Sequence, residues 1–359
     1  MFYHLLYPLH EWFGPFNVFR YITFRALYAT LTAGLLVFFL MPPYIAYLRR
    51  RQFGQVIREE GPKEHLRKAG TPTMGGVVLI AAIVLSVLLW GNLTNPYLWL
   101  VVGTLVTFGF IGFLDDYRKI SRGRNLGLRA REKLAFQALL AVGLWYGLFQ
   151  KIGFDTTLAF PFFKDLRPEL GLLYLPFIYL VVVGTSNAMN LTDGLDGLAI
   201  VPFTVVSAVY AVFSYVAGHV KFAHYLQVPY IPGVGELTVF CGAMVGAGLG
   251  FLWYNAHPAE IFMGDVGSLG LGAALGAVAV MVKQELLLVL AGGIFVVEAV
   301  SVILQVAYFK LTGGKRIFRM APLHHHFELS GWPENKVVVR FWILAVICGI
   351  LALSTLKLR

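Results

Sequence analysis

The chain has 359 residues, 58% of them hydrophobic and only 13% charged, and its mean hydropathy is +0.72. So apolar a composition lacks the polar surface of a water-soluble fold and defines a polytopic membrane protein. The formal charge of +10 therefore reads as a topology signal and not as a nucleic-acid footprint.

A crossing needs about 20 apolar residues, and ten such runs are expected: 22–48, 74–90, 97–114, 133–149, 172–188, 197–217, 237–254, 266–282, 286–309 and 337–356. The expected fold is all-α, one integral membrane domain over 1–359 with ten transmembrane helices. The N-terminal MFYHLLYPLHEWFGPF lacks a basic n-region and a cleavage site, so no removable signal peptide is expected. Cys241 and Cys348 sit in apolar runs, where buried hydrophobes fit better than a disulfide.

Three loops, after the first, third and ninth runs, carry seven, seven and six basic residues, twenty of the chain's 29. In a ten-span arrangement all three lie on one side, which the positive-inside rule makes cytoplasmic, with both termini outside. Of the two longer outer loops, the one near 151–171 reads as a short β-hairpin on the outer face.

The polar motifs fall on the same side as the basic loops. First comes KAGTPTMGG, with Lys68 and Thr73 ahead of a span. It is too short for a Walker A loop and reads as an anion-contacting loop or a positive-inside linker. Asp115 and Asp116 end the run FGFIGFL; adjacent carboxylates need a cation, basic neighbours or a raised pKa, unless they merely mark the water boundary.

In TSNAMNLTDGLDGL, the residues Asn187, Asn190, Asp193 and Asp196 are spaced by three and would form one helical ladder at a span end. The two Asp-Gly pairs alternatively mark a turn. NAHPAEIFMGDVGSLG sets Asn255 and Phe262 near Asp265, with Ser268 available to cap the following helix. A carboxylate beside a helix N-terminus suits a phosphate carrying a divalent metal, and oxygen ligands without cysteine favour Mg²⁺ or Mn²⁺ over Zn²⁺. Phe262 either stacks on a base or packs at the bilayer rim.

Glu298 and Gln305, seven apart on one face of the ninth run, must meet protein or a hydrated groove. His324, His325 and His326 are consecutive and so point in different directions. That spacing suits phosphate contact or loop ordering better than a zinc site.

Together FLDDYRK (113–119), NAMNLTDGLDGL (187–198) and FMGDVGSLGLG (262–272) resemble the polyprenyl-phosphate N-acetylhexosamine-1-phosphate transferase superfamily. TPTMGG (71–76) and APLHHHFELSGWPENKVVVRFWI (321–343) narrow the resemblance to the phospho-N-acetylmuramoyl-pentapeptide transferases, the translocase I family. The match runs from about residue 49 to the C-terminus.

The resemblance implies transfer of phospho-MurNAc-pentapeptide from UDP-MurNAc-pentapeptide to undecaprenyl phosphate at the cytoplasmic face of a bacterial inner membrane, with Mg²⁺ as cofactor. It further implies catalytic roles for Asp115, Asp116, Asp265 and the histidines 324–326, with Asp265 the metal ligand. Substrate contacts fall to Lys68, Thr73, Lys133, Asn187, Asn190, Asp193, Asp196, Asn255, Phe262, Ser268 and Gln305. No nucleic-acid partner is implied, and a homo-oligomer stays open.

The competing readings are a sibling that transfers GlcNAc-1-phosphate and, from another class, a transporter or flippase. Against transport, the polar residues gather at one membrane face and no inverted repeat appears. The topology makes a direct prediction: a cysteine placed near Lys357 is labelled in intact cells by a membrane-impermeant thiol reagent, and one near Arg124 is protected. The reverse pattern would invert the arrangement.

Overall fold

The computed structural model describes residues 1–51, 70–122, 127–163 and 166–357. The helices run α1 (Phe2–Leu6), α2 (Ile22–Arg50), α3 (Gly76–Trp90), α4 (Pro96–Arg122), α5 (Ala130–Tyr146), α6 (Tyr174–Thr192) and α7 (Ile200–Ala217). They continue as α8 (Val220–Leu226), α9 (Leu237–Asn255), α10 (Gly264–Met281), α11 (Glu285–Ala291), α12 (Gly293–Leu311), α13 (Leu323–Glu328) and α14 (Glu334–Ser354). Among the described residues there is no β-strand.

Among the described residues, eight helices are long and apolar enough to cross a membrane: α2, α4, α6, α7, α9, α10, α12 and α14. The other two expected crossings correspond to α3, an apolar helix of 15 residues, and α5, of 17 residues. The first is short, and the second opens on the charged sequence Ala130-Arg131-Glu132-Lys133. The ninth expected run is not one helix either. It breaks at the pair Gly292-Gly293 into α11 and α12, where two residues without side chains hold the helix weakly.

The hairpin expected near 151–171 reduces, among the described residues, to one antiparallel bridge between Thr157 and Glu169. Hydrogen bonds from Leu158 to Pro168 and from Leu170 to Thr156 flank it. Pro161 and Pro168 remove ladder donors from so short a segment, and no strand propagates.

The bundle is built around α10, whose residues from Val266 to Met281 are all buried. In a bilayer, helices gain little by hiding apolar surface from equally apolar lipid, so close packing of small residues has to hold them together. Gly272 and Gly276 supply it on the α6 side, where a Cβ would stand 2.8 Å from the Cα atoms of Ser186 and Val182. On the α2–α9 pair, Gly242, Gly246 and Gly250 recur every four residues of α9. Added carbons there would run into the backbone at Ala26, Thr30 and Gly34. Outward, by contrast, Leu27, Leu31, Leu35 and Phe39 are exposed in a row along α2, the surface that lipid would cover.

Contacts mark the two ends of the bundle. At one end the α2 residue Arg25, 2% exposed, forms a two-pronged pair with Glu236 and donates to Trp90 O at 3.1 Å. Nearby Lys283 donates to Asp155 O at 2.6 Å and Thr157 O at 2.8 Å. The acidic, amide and histidine motifs gather at the opposite end.

The α2–α9 contact gives a stability prediction. Gly246→Val should lower the thermal unfolding midpoint of the purified protein in detergent, because overpacking costs roughly 1–3 kcal/mol. Gly103→Ala, at a position with open space around the added carbon, should leave the midpoint unchanged.

Candidate active site

The site begins where α4 ends against α10. Gly112, one turn before Asp116, is small enough for α4 to lie directly on the carbonyl of Asp265. On the other side of the contact, Gly264 takes φ +74° and turns the chain into α10, a conformation that favours glycine. Asp265 falls in the first turn of that helix. The free N–H of Val266 donates to Asp116 Oδ2 at 3.2 Å, so a helix N-terminus and a carboxylate from another helix satisfy each other.

Asp115, Asp116 and Asp265 thereby form one acidic centre, each offering an oxygen within 4.8 Å of the others. Asp115 and Asp116 are 3% and 5% exposed. Two lysines enter the centre. Lys119 Nζ stands 2.5 Å from Asp115, 3.2 Å from Asp265 and 3.6 Å from Asp116; Lys133 Nζ lies 2.9 Å from Asp265. Among the described residues, three carboxylates against two ammonium groups leave a surplus negative charge in a nearly dry site, which needs a proton or another cation.

Asn190 Nδ2 donates to Asp265 Oδ1 and to Ser268 Oγ, both at 2.8 Å. Ser268 is not the expected helix cap. The helix starts four residues earlier, so its hydroxyl lies inside the first turns and bonds back to Gly264 O at 3.0 Å. Asn187, one turn from Asn190, donates to Gln137 Oε1 at 3.0 Å.

The four-residue ladder holds only for these two asparagines. The helix ends at Thr192, with Asp193 as its C-cap, and the Asp-Gly repeats that follow form turns. Asp196 therefore points elsewhere: its Oδ2 accepts from Ala259 N at 3.1 Å and meets His257 Nδ1 at 3.0 Å. Asn255, 2% exposed, joins Gly197 N to Ile261 O. Both residues hold the 193–198 turn against the 256–262 loop.

The segment Thr71–Gly76 is laid along that same loop. Phe262 N donates to Pro72 O at 2.8 Å, and Gly75 N to Phe262 O at 2.9 Å. Thr73 Oγ1 is brought beside Gly264, where a Cβ would meet it at 3.0 Å. The Phe262 ring is partly exposed. Lys68 lies outside the described residues.

Each histidine of the triplet has its own partner. His324 is buried with Glu298, its N–H and Nδ1 facing the two carboxylate oxygens at 3.2 and 3.1 Å. His325 Nδ1 meets Glu328 at 2.8 Å, and His326 Nδ1 accepts Arg319 N at 3.1 Å. Gln305 accepts from Ile317 N and Phe318 N at 3.0 Å each and donates to Phe318 O at 3.2 Å. Its amide thus shapes the loop ahead of the histidines.

Sequence reasoning passed over Gln137 and His257, left Glu298 without a partner, and took Lys119 only as a basic neighbour of Asp115 and Asp116 without giving it a place in the site. Lys119 had a visible signal, since it stands four residues after Asp115 and three after Asp116 on one helix. The partners of Gln137 and Glu298 depend on which helices touch, and no local pattern shows that.

Such an acidic centre at one end of an all-helical bundle belongs to a membrane transferase, and the model of glycosyl transferase family 4 matches residues 98–283. Signature 1 of the phospho-N-acetylmuramoyl-pentapeptide-transferases matches residues 68–80. Over the full length of both chains, the protein is 58% identical to the phospho-N-acetylmuramoyl-pentapeptide-transferase of Oleidesulfovibrio alaskensis. The corresponding figures are 59% for that of Nitratidesulfovibrio vulgaris and 57% for that of Citrifermentans bemidjiense. The chain belongs to the phospho-N-acetylmuramoyl-pentapeptide-transferase family.

Asp193 gives the site a pH signature. Loss of water, then the Asp265 and Asp196 carboxylates, push it up from 3.8 to about 7. The folded protein keeps this group neutral at pH values where the unfolded chain has ionised it, so its effect is a loss of stability as pH rises through that window. Asp193→Asn should flatten the fall in unfolding midpoint between pH 4 and about 7, read by thermal unfolding across a pH series.

Proposed function

We propose that the protein transfers phospho-MurNAc-pentapeptide from UDP-MurNAc-pentapeptide to undecaprenyl phosphate, giving lipid I and UMP, the first membrane step of peptidoglycan synthesis. The observation that carries this reading is identity of 57 to 59% over the full length of transferases bearing that name. The signature match at 68–80 favours this donor over the GlcNAc-1-phosphate of the sibling enzymes.

The same reading places the protein in a bacterial inner membrane, with the acidic centre at the cytoplasmic surface. Ten crossings and outward termini are part of it. In support, α3 leads from the acidic end, where Gly76 meets Gly267, to the opposite end, where Trp90 O meets Arg25. Likewise α5 carries Lys133 in its first turn beside Asp265, and the loop after it reaches Lys283. The basic loops would concentrate an anionic nucleotide and a lipid phosphate at one surface.

The acidic centre suits Mg²⁺. Three carboxylates from two helix ends converge, a surplus negative charge remains beside both lysines, and the donors are oxygens, as a hard cation requires. Asp265 would be the main ligand, with Asp115 and Asp116 beside it. The chemistry such an ion supplies is charge neutralisation on the transferring phosphate.

The rest falls to the chain's own residues. Lys133 and Lys119 neutralise phosphate oxygens, and Thr73 and the histidine segment contact phosphate or sugar. Asn190, Asp193 and Phe262 line the nucleotide pocket, whose wall Asp196 and Asn255 hold in shape. Asp115 takes up or orients the proton of the acceptor phosphate, which attacks the donor directly. Phosphoryl transfer asks mainly for such positioning and charge balance.

The test is UMP release by purified protein from each UDP-sugar, titrated with Mg²⁺. Release from UDP-MurNAc-pentapeptide alone, dependent on Mg²⁺, is the expected result; release from UDP-GlcNAc would move the assignment to the sibling. Asp265→Asn should raise the Mg²⁺ concentration needed for half-maximal rate. Asp115→Asn should keep that concentration and lower kcat by about 10²–10⁴-fold, the usual contribution of a general base. The opposite split would exchange the two roles.

A further inference from the structure

Lys133 reaches the acidic centre from a helix with little to hold it there. Only three residues of α5 are buried, Gln137, Ala141 and Leu144, a single stripe at spacings of four and three. Around it Leu134, Phe136, Leu139 and Val142 are exposed. Ahead of Ala141, the one buried side chain of α5 is the amide of Gln137, 0% exposed and one turn after Lys133. Just ahead of the helix Leu128 N donates to Asp115 Oδ1 at 2.7 Å and fixes where the chain enters α5 but not how the helix is turned; the pair of Arg118 with Glu132 at 3.5 Å joins side chains that are 44% and 45% exposed, and such pairs fix little.

The orientation of the Gln137 amide follows from its partner. Asn187 Nδ2 donates to Val183 O at 2.8 Å, and a carbonyl only accepts. The nitrogen of Asn187 therefore faces inward and donates to Gln137 Oε1 at 3.0 Å. This leaves Gln137 Nε2 buried without a hydrogen-bond partner among the described residues. A half-satisfied amide between two membrane helices costs more than an apolar side chain of the same shape would. Its contribution is then directional and not one of stability.

We propose that Gln137, through Asn187, is a positioning residue that sets α5 in register with α6 and so holds Lys133 on Asp265. The geometry closes a ring. Asn187 and Asn190 are three apart on α6, and Gln137 and Lys133 are four apart on α5. The first rung is the 3.0 Å amide bond; the second runs from Asn190 to Asp265 at 2.8 Å and from Asp265 to Lys133 at 2.9 Å. Removing the first rung frees the turn that carries the lysine.

The inference rests on the transferase reading, and wild-type UMP release in the same assay separates failure of that reading from failure of this one. Gln137→Met, close in shape and without the acceptor, should lower kcat roughly tenfold, as small misplacements of positioning groups do. KM for the nucleotide donor should stay within about twofold, since the interaction lost acts on positioning and not on ground-state binding. The unfolding midpoint should hold or rise, because an orphaned N–H is gone.

Asn187→Leu should give the same loss, and the double variant no more than either single one, since both act through one bond. In a Lys133→Met background, Gln137→Met should cost nothing further. Hydrogen exchange should speed up at the amides of 130–136 in Gln137→Met, a readout that does not depend on turnover. Unchanged kcat and exchange, or losses that multiply in the Lys133→Met background, would overturn the proposal. If Gln137→Met fails to accumulate folded, Asn187→Leu carries the same comparisons.

Discussion

Everything at the acidic end depends on how close α4 and α10 can come. The contact is a glycine of one helix against the first-turn carbonyl of the other, Gly112 on Asp265, and it brings three carboxylates together where little water enters. Bare, such a cluster would repel itself apart or take up protons. Helix geometry supplies the first compensation, Lys119 one turn beyond Asp115 and Asp116. Lys133 and the N-terminus of α10 supply two more. In formal charge, two lysines among the described residues leave three carboxylates one short, and that shortfall is what makes the centre suited to a divalent cation and to phosphate chemistry.

Around this centre the polar residues divide into two kinds. Asn190 and Lys133 touch the carboxylates themselves. Asp196, Asn255, Gln305 and His324 use their polar atoms on the backbone of neighbouring loops or, for His324, on the buried Glu298 of α12. The second kind keeps the pocket wall in shape. His324 shows the principle at closest range: its ring abuts Gly194 so tightly that no side chain would fit there, which ties the histidine segment to the turn that carries Asp193.

Much of this was legible in the sequence because polar residues in lipid-grade stretches are costly and so stand out. Asp115, Asp116, Asn187, Asn190 and Asp265 were visible for that reason, and the structure brings them to one end of the bundle. The all-helical class followed from hydropathy. Where reading by spacing went astray, it extended a helical rule past the end of the helix, as with Asp193 and Asp196, or placed a helix start too late, as with Ser268. Gly292-Gly293 split an apolar run that composition alone presents as continuous. Gln137 and Glu298 gave weaker signals, because a buried amide or acid takes its meaning from a partner on another helix. Contacts between small residues far apart in sequence decide which helix that is.

The two ends of the bundle show why buried charge by itself does not identify a functional site. At the far end Arg25 and Glu236 meet one to one, Asn92 N and Trp90 O take further oxygen and nitrogen capacity, and Arg25 Nε is buried without a hydrogen-bond partner among the described residues. Such a pair balances in charge: breaking it would leave an uncompensated charge, and intact it holds no surplus. The acidic end has the opposite arithmetic, with more carboxylates than lysines among the described residues, and the surplus lies beside Thr73 and the α6 residue Asn190.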